Sequence, residues 1–308
     1  MADITYVRPQ SVEEACALLA RHGDEAAVLA GGQSLLPMLR SGEATPACLV
    51  DINELPGRST VGRDGDDLVV PCLVRYVDVL ESDLVATACP LLANAVAHIG
   101  DVQVRNRGTF CGGVAAVTPR GDPTAVAGAL DATVVTASVD GERTHAVESI
   151  VAGAHETTLD PGELVTEIRV PVCGPGRGGG YANYEPAGVS FPVGSVAARF
   201  DLAAGDRGDD DSDAEGGRDA THIERARVFT GAFEHRPRRM AETEAALAGE
   251  PATETTLAAA ADQLAEELDP VADAEGDAPF KRDLSVTLAE RAFADAVDDA
   301  RTDVEVPA

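Results

Sequence analysis

The 308-residue chain is 44% hydrophobic, enough for a sizeable core in one large domain or two to three smaller ones. Acidic residues outnumber basic ones 53 to 24, for a formal net charge of −29, and Lys281 is the single lysine. A negative field of that size excludes nucleic-acid binding, which needs Lys and Arg to displace phosphate counterions.

The acidic excess runs along the whole chain instead of forming a tail. It reads as adaptation to a high-salt interior, where screening over ~3 Å at molar salt removes self-repulsion. No apolar run approaches the ~20 residues of a membrane span. The N-terminus MADITYVRPQ lacks the basic and apolar regions of a signal peptide, so a cytoplasmic location is expected.

The opening ITYVRPQSVEEACALLARHG predicts a strand and then a helix. Ser11 and Glu14 make a capping box, Val12, Ala15, Cys16 and Leu19 keep helical spacing, and Gly23 ends the helix. AAVLAGG predicts a short buried strand running into a glycine turn, LVDINEL a second strand and DLVVPCLVRY a third. Residues 77–100 carry a helical stripe from Leu80 to Ile99, followed by the Gly/Arg/Thr-rich loop VRNRGTFCGGVAAVTPRGDP.

Next come a helix at TAVAGALDA, a hairpin from ATVVTASVDG and ERTHAVES, and an alternating strand at ELVTEIRVPV. These bound a first domain at 1–173, with parts at about 1–56 and 57–173. GPGRGGG (174–180) reads as a flexible linker to a C-terminal α+β domain at 181–298, with a tail at 299–308. In that domain VGSVAARFDL and THIERARVFTGAF predict antiparallel neighbours, and two helices close the chain. The segment 205–219 between the strands is too polar to bury. Its Asp209, Asp210, Asp211, Asp213 and Glu215 lack the alternation of a calcium loop.

Cys16, Cys48, Cys72, Cys89, Cys111 and Cys173 contain no CxxC or CxxH, and no HExxH or GxSxG is present. No zinc or iron–sulfur site, metal ligand set or catalytic nucleophile is therefore expected within the chain. Two glycine loops carry the chemistry instead. Ala30, Gly31, Gly32, Gln33 and Ser34 follow a buried strand, where paired glycines leave main-chain N–H groups uncovered for a diphosphate. Thr109, Phe110, Cys111, Gly112 and Gly113 form the second loop, with Asp122 placed to accept from a ribose or ribityl hydroxyl. Neither loop is GxGxxG or GxxxxGK[ST]. Two such nests suit a ligand with two phosphates and two polar arms, and FAD fits that description.

AGGQSLLPMLRSGEATPACLVDI and VRNRGTFCGGVAAVTPRGDPTAVAGALDATV resemble, without gaps, the two flavin motifs of the FAD-binding (medium) subunits of molybdenum hydroxylases, the carbon monoxide dehydrogenase/xanthine dehydrogenase family. The Ser11 helix start, LVTEIRVP, the TGAF turn with Arg236, Arg238 and Arg239, and FKRDLSVTLAERAF extend the resemblance over nearly the whole chain. It implies a two-part FAD domain of the vanillyl-alcohol-oxidase/cell-wall-precursor-reductase type plus a C-terminal α+β domain. Both loops would wrap the FAD pyrophosphate, Asp122 would hold the ribityl or ribose end, and Leu164 and Val165 would touch the isoalloxazine. Tyr181 and Tyr184 fall where such subunits place aromatics beside the flavin, or serve as packing.

The implied partners are a large molybdopterin subunit and a small [2Fe–2S] subunit, arranged as a dimer of heterotrimers. Electrons would pass from the clusters to FAD and on to an external acceptor, in a carbon monoxide or xanthine/aldehyde type of complex, with no catalytic side chain here. Three departures stand out. Cys111 replaces the commonest glycine and is either a packing residue or a redox thiol. Gly113 replaces an Asn or Ser, and Asn183, Pro186 and Ala187 replace a Lys and paired Arg. Two rivals stay open: a stand-alone FAD-dependent oxidoreductase with its own substrate pocket, and an acidic scaffold without cofactor.

Overall fold

A computed structural model describes residues 4–186, 191–203 and 221–302. The acidic segment expected at 205–219 lies outside the described residues.

The N-terminal part joins β1 (Thr5–Val7), α1 (Val12–His22), β2 (Ala26–Leu29), α2 (Leu35–Ser41) and β3 (Cys48–Asp51). Its strands form a parallel sheet in the order β1-β3-β2, and β3 is buried throughout. Ser11 caps α1 by accepting from the Glu14 N–H, and Glu14 reaches one residue further back than a capping box, accepting from the Gln10 N–H.

The second part runs through β4 (Gly62–Asp64), β5 (Asp67–Pro71), α3 (Tyr76–Leu80), α4 (Asp83–Ala88), α5 (Pro90–Ala97), α6 (Val102–Arg105), α7 (Phe110–Ala115) and α8 (Asp122–Ala129). It continues with β6 (Thr133–Ser138), β7 (Gly141–Ala146), α9 (Val147–Ile150), β8 (Val151–Gly153), β9 (Glu156–Thr157) and β10 (Leu164–Pro171). Its main sheet is antiparallel at each neighbouring pair, in the order β4-β5-β10-β6-β7. Alternate residues of β10 are buried, as its sequence pattern requires.

The single helical run expected over 77–100 is broken into α3, α4 and α5. Ser82 caps a new helix by accepting from the Val85 N–H, and Pro90 opens another after a non-helical Cys89. Helix α8 is buried along its entire length, packed against β12 and β13 of the C-terminal domain.

That domain comprises β11 (Arg177–Tyr184), β12 (Gly194–Ala203), β13 (His222–Gly231), β14 (Arg238–Arg239), α10 (Ala241–Leu247), α11 (Glu254–Glu267) and α12 (Ala278–Thr302). The strands form an antiparallel sheet in chain order, with α12 lying across β11 and β12. Here the expected linker is corrected: Arg177 to Gly180 belong to β11. A Cβ on Gly180 would lie 1.9 Å from the Ala292 carbonyl oxygen, and one on Gly179 would lie 2.7 Å from Leu91 Cβ. The glycines let α12 and α5 press on the strand from both faces. They serve packing, not flexibility. The expected tail is also corrected at 299–302, which continue α12, and the Asp299 carboxylate accepts from the Gly179 N–H.

One hydrophobic cluster fills the first domain and reaches across the junction to Tyr181, Ala197 and Phe229; a second lies between the C-terminal sheet and its helices. Lys281, fully buried, pairs with Asp273 at 2.7 Å, which in turn takes Arg120 from the first domain at 3.0 Å.

Candidate functional site

The first loop leaves β2 and turns into α2. The Asn53 side chain donates to the Ala30 carbonyl at 2.9 Å, while Asp51 fixes that amide at 2.7 Å. Gly32 sits at φ +73°, where a side chain is strained. The Gln33 side-chain amide donates to the Gly31 carbonyl at 3.1 Å and closes the turn. The N–H groups of Gly32, Gln33 and Ser34 have no acceptor among the described residues.

The second loop is built differently from the expected nest. Thr109 is the N-cap of α7 and its hydroxyl accepts from the Gly112 N–H; Phe110 donates its N–H to Val74 and Gly113 to Thr109. Most of its main-chain donors are thus already used.

The two loops meet. A Cβ on Gly31 would stand 2.4 Å from the Arg107 carbonyl oxygen and 2.9 Å from the Thr109 nitrogen, so only glycine lets the strands of backbone touch. Between them and the start of β10 opens a cavity of about 560 Å³. Ala30, Gly31, Gly32, Gln33, Ser34, Thr109, Cys111, Gly112, Gly113, Asp122, Leu164 and Val165 all line it. The structure does not bring Phe110, Tyr181 or Tyr184 to its wall. Phe110 is buried in the core behind the loop. Tyr181 lines a second hollow of about 410 Å³ with His98, Asn183 and Arg291. Tyr184 is largely exposed and meets Phe280 edge-on, with ring centroids 6.5 Å apart.

Residues the sequence reading missed complete the wall. Tyr76, counted there at the end of a strand, opens α3 and faces Gly113. A Cβ on Gly113 would lie 2.1 Å from its hydroxyl, which accounts for the glycine where Asn or Ser is usual. The hairpin around His155 and Thr157 closes one side, and Phe191 and Pro192 close another. Nothing in the pattern of DLVVPCLVRY or SFPVGS marks these roles.

Among the described residues Arg120 is the one arginine of the wall, and its guanidinium is held by Asp273 and Glu275. Asp122, Asp160 and Glu163 add negative charge. A diphosphate here would rest on main-chain N–H groups, not on cationic side chains. Asp122 is buried, and burial is the largest influence on it: the carboxyl is pushed up to about 6, against the opposing pull of the Ser195 and Tyr181 hydroxyls. The Cys111 thiol donates to the Val70 carbonyl at 3.2 Å, and burial pushes it well above its ordinary range. Its burial and its hydrogen bond are those of a packing residue. Among the described residues no cluster of three His, Cys, Asp or Glu could hold a metal ion.

A largely apolar cavity of this size, with an unpaired amide cradle and a buried carboxylate, fits FAD. Comparison with known proteins points the same way. Residues 2–173 match the family described as "FAD binding domain in molybdopterin dehydrogenase", and residues 195–296 match "CO dehydrogenase flavoprotein C-terminal domain". The carbon monoxide dehydrogenase medium chain of Hydrogenophaga pseudoflava is 32% identical over 94% of this chain and 95% of its own. The 6-hydroxypseudooxynicotine dehydrogenase complex subunit alpha of Paenarthrobacter nicotinovorans is 31% identical over 96% and 95%. A solved structure of the Hydrogenophaga enzyme, lacking the Mo-pyranopterin moiety of its cofactor, superposes with a TM-score of 0.86 at 31% identity, covering 96% of this chain and 98% of that one.

Proposed function

This chain belongs to the FAD-binding, medium-subunit family of the molybdenum hydroxylases, and on that premise we propose that it is an electron-transfer subunit working between two partners. It takes electrons from the [2Fe–2S] clusters of a small subunit, which receives them from the molybdopterin centre of a large subunit, and hands them to an external acceptor. The assembly is a dimer of heterotrimers in the cytoplasm. Its substrate is met on the large subunit and is of the carbon monoxide or xanthine/aldehyde type.

The observation that carries this reading is the contact of Gly31 with the 107–109 backbone, which merges two loops almost 80 residues apart into one cradle. Bound FAD supplies the redox chemistry. The chain's own residues bind and orient. The N–H groups of Gly32, Gln33 and Ser34 would take the diphosphate, and Asp122 a sugar or ribityl hydroxyl. Leu164 and Val165, with the hairpin carrying Thr157, would exclude water from the ring system.

Purification from the native source in high salt tests the assignment. Co-purification with a molybdenum chain and an iron–sulfur chain is the expected result. Recovery as an active monomer with its own substrate would sink it in favour of a stand-alone oxidoreductase. No helix of the described residues is long and apolar enough to cross a membrane.

A further inference from the structure

Three buried polar groups converge behind the cavity, one from the first domain and two from the C-terminal sheet. Asp122 is 3% exposed, Tyr181 4% and Ser195 0%. Asp122 Oδ1, the Tyr181 hydroxyl and the Ser195 Oγ each lack a hydrogen bond of ordinary length and angle, yet both hydroxyls lie close enough to favour the carboxylate. Such orphaned groups are costly and point to a role. Sheet register sets up the meeting. Tyr181 pairs with Ala197 and Ser195 with Asn183, so the two side chains are diagonal neighbours on one face. On the next strand Gly231 faces Ser195, and a Cβ there would lie 2.7 Å from Ser195 Oγ and 3.7 Å from Asp122 Oδ1. The glycine keeps that space open.

We propose that Tyr181 and Ser195 are positioning residues for Asp122: reaching across the domain junction, their hydroxyls donate to its carboxylate and aim it at a hydroxyl of bound FAD. This rests on the reading that the cavity takes FAD. It assigns to Tyr181 an action through Asp122 instead of a ring beside the flavin, and to the C-terminal domain a direct hand in the cofactor site. The titratable groups facing Asp122 are Tyr76 from α3, His98 after α5, Tyr181 from β11 and Glu185 beyond it. Of these, Glu185 opposes the carboxylate and His98 supports it.

The test is FAD titration of the full-length, flavin-stripped chain across a range of pH. In the unmodified protein affinity falls as pH drops through about 6, where Asp122 gains a proton. In Tyr181→Phe with Ser195→Ala, that fall moves to higher pH and binding at neutral pH weakens about tenfold. Ser195→Thr, which keeps the hydroxyl, stays near the unmodified profile, and Asp122→Asn flattens it. If the double variant fails to fold by circular dichroism, Tyr181→Phe alone is read the same way. An unmoved midpoint, an equal loss at every pH, or a slope that survives Asp122→Asn would overturn the proposal. Failure of the unmodified chain to bind FAD would instead overturn the reading beneath it.

Discussion

The Tyr76 hydroxyl occupies the space that a side chain at Gly113 would need, 2.1 Å from where its Cβ would be. The second glycine loop of this chain is therefore fitted to a tyrosine buried under it. Gly113→Ser should destabilise the chain by about 1–3 kcal/mol through overpacking. Tyr76→Phe should recover part of that loss, leaving contact with Pro123, whose Cγ lies 2.8 Å from the same point. Denaturant unfolding of both single variants and the pair gives the coupling. Simple additivity would mean the two residues do not compete for space.

Gly31→Ala drives a methyl group into the Arg107 carbonyl and should part the two loops. The expected outcome is a folded chain that binds FAD at least about tenfold more weakly, since each lost amide contact to a charged group is worth about 1.5–3 kcal/mol. Flavin fluorescence on titration reads this directly.

Asp122 trades stability for its place in the site. Its carboxyl sits at about 6 in the fold against an ordinary value of 3.8. The native state thus holds its proton longer than the unfolded chain does, and stability falls as pH rises from the lower value to the higher. Asp122→Asn should stabilise the flavin-free chain at pH above about 6, on the order of 3 kcal/mol, with the gain vanishing below the ordinary value. The same variant should bind FAD less well. Thermal melts at two pH values with and without FAD separate the effects.

Salt gives a further prediction. Among the described residues the cavity wall carries one arginine, Arg120, already paired with Asp273 and Glu275, and the chain carries a net charge of −29. Screening should weaken the repulsion of anionic FAD, so affinity should rise from dilute buffer to molar potassium chloride. A fall with salt, the usual behaviour of phosphate sites built on Lys and Arg, would contradict this account.

What the sequence made legible was whatever depends on local pattern. The alternation of β10, the cap at Ser11 and the two glycine loops are written in consecutive residues. What it hid depends on what lies opposite. Gly178, Gly179 and Gly180 read as a linker because nothing in GPGRGGG shows that Ala292, Ala300 and Leu91 press on them. Gly180→Ala, harmless in a true linker, should cost at least about 1–3 kcal/mol here, as measured by chemical unfolding. Thr109 read as a ligand group because its use as a helix cap is visible only once α7 is built. Tyr181, which the resemblance placed beside the flavin, instead turns its hydroxyl toward Asp122 and its ring toward His98, 5.8 Å away between centroids.

Flavin content per chain tests the central claim most directly. The full-length protein, purified in high salt and then denatured, should release one FAD for each chain, and Gly31→Ala should release far less from an equally folded preparation. Flavin that stays attached to the denatured chain, or a colourless protein that takes up no FAD when it is supplied, would contradict the account.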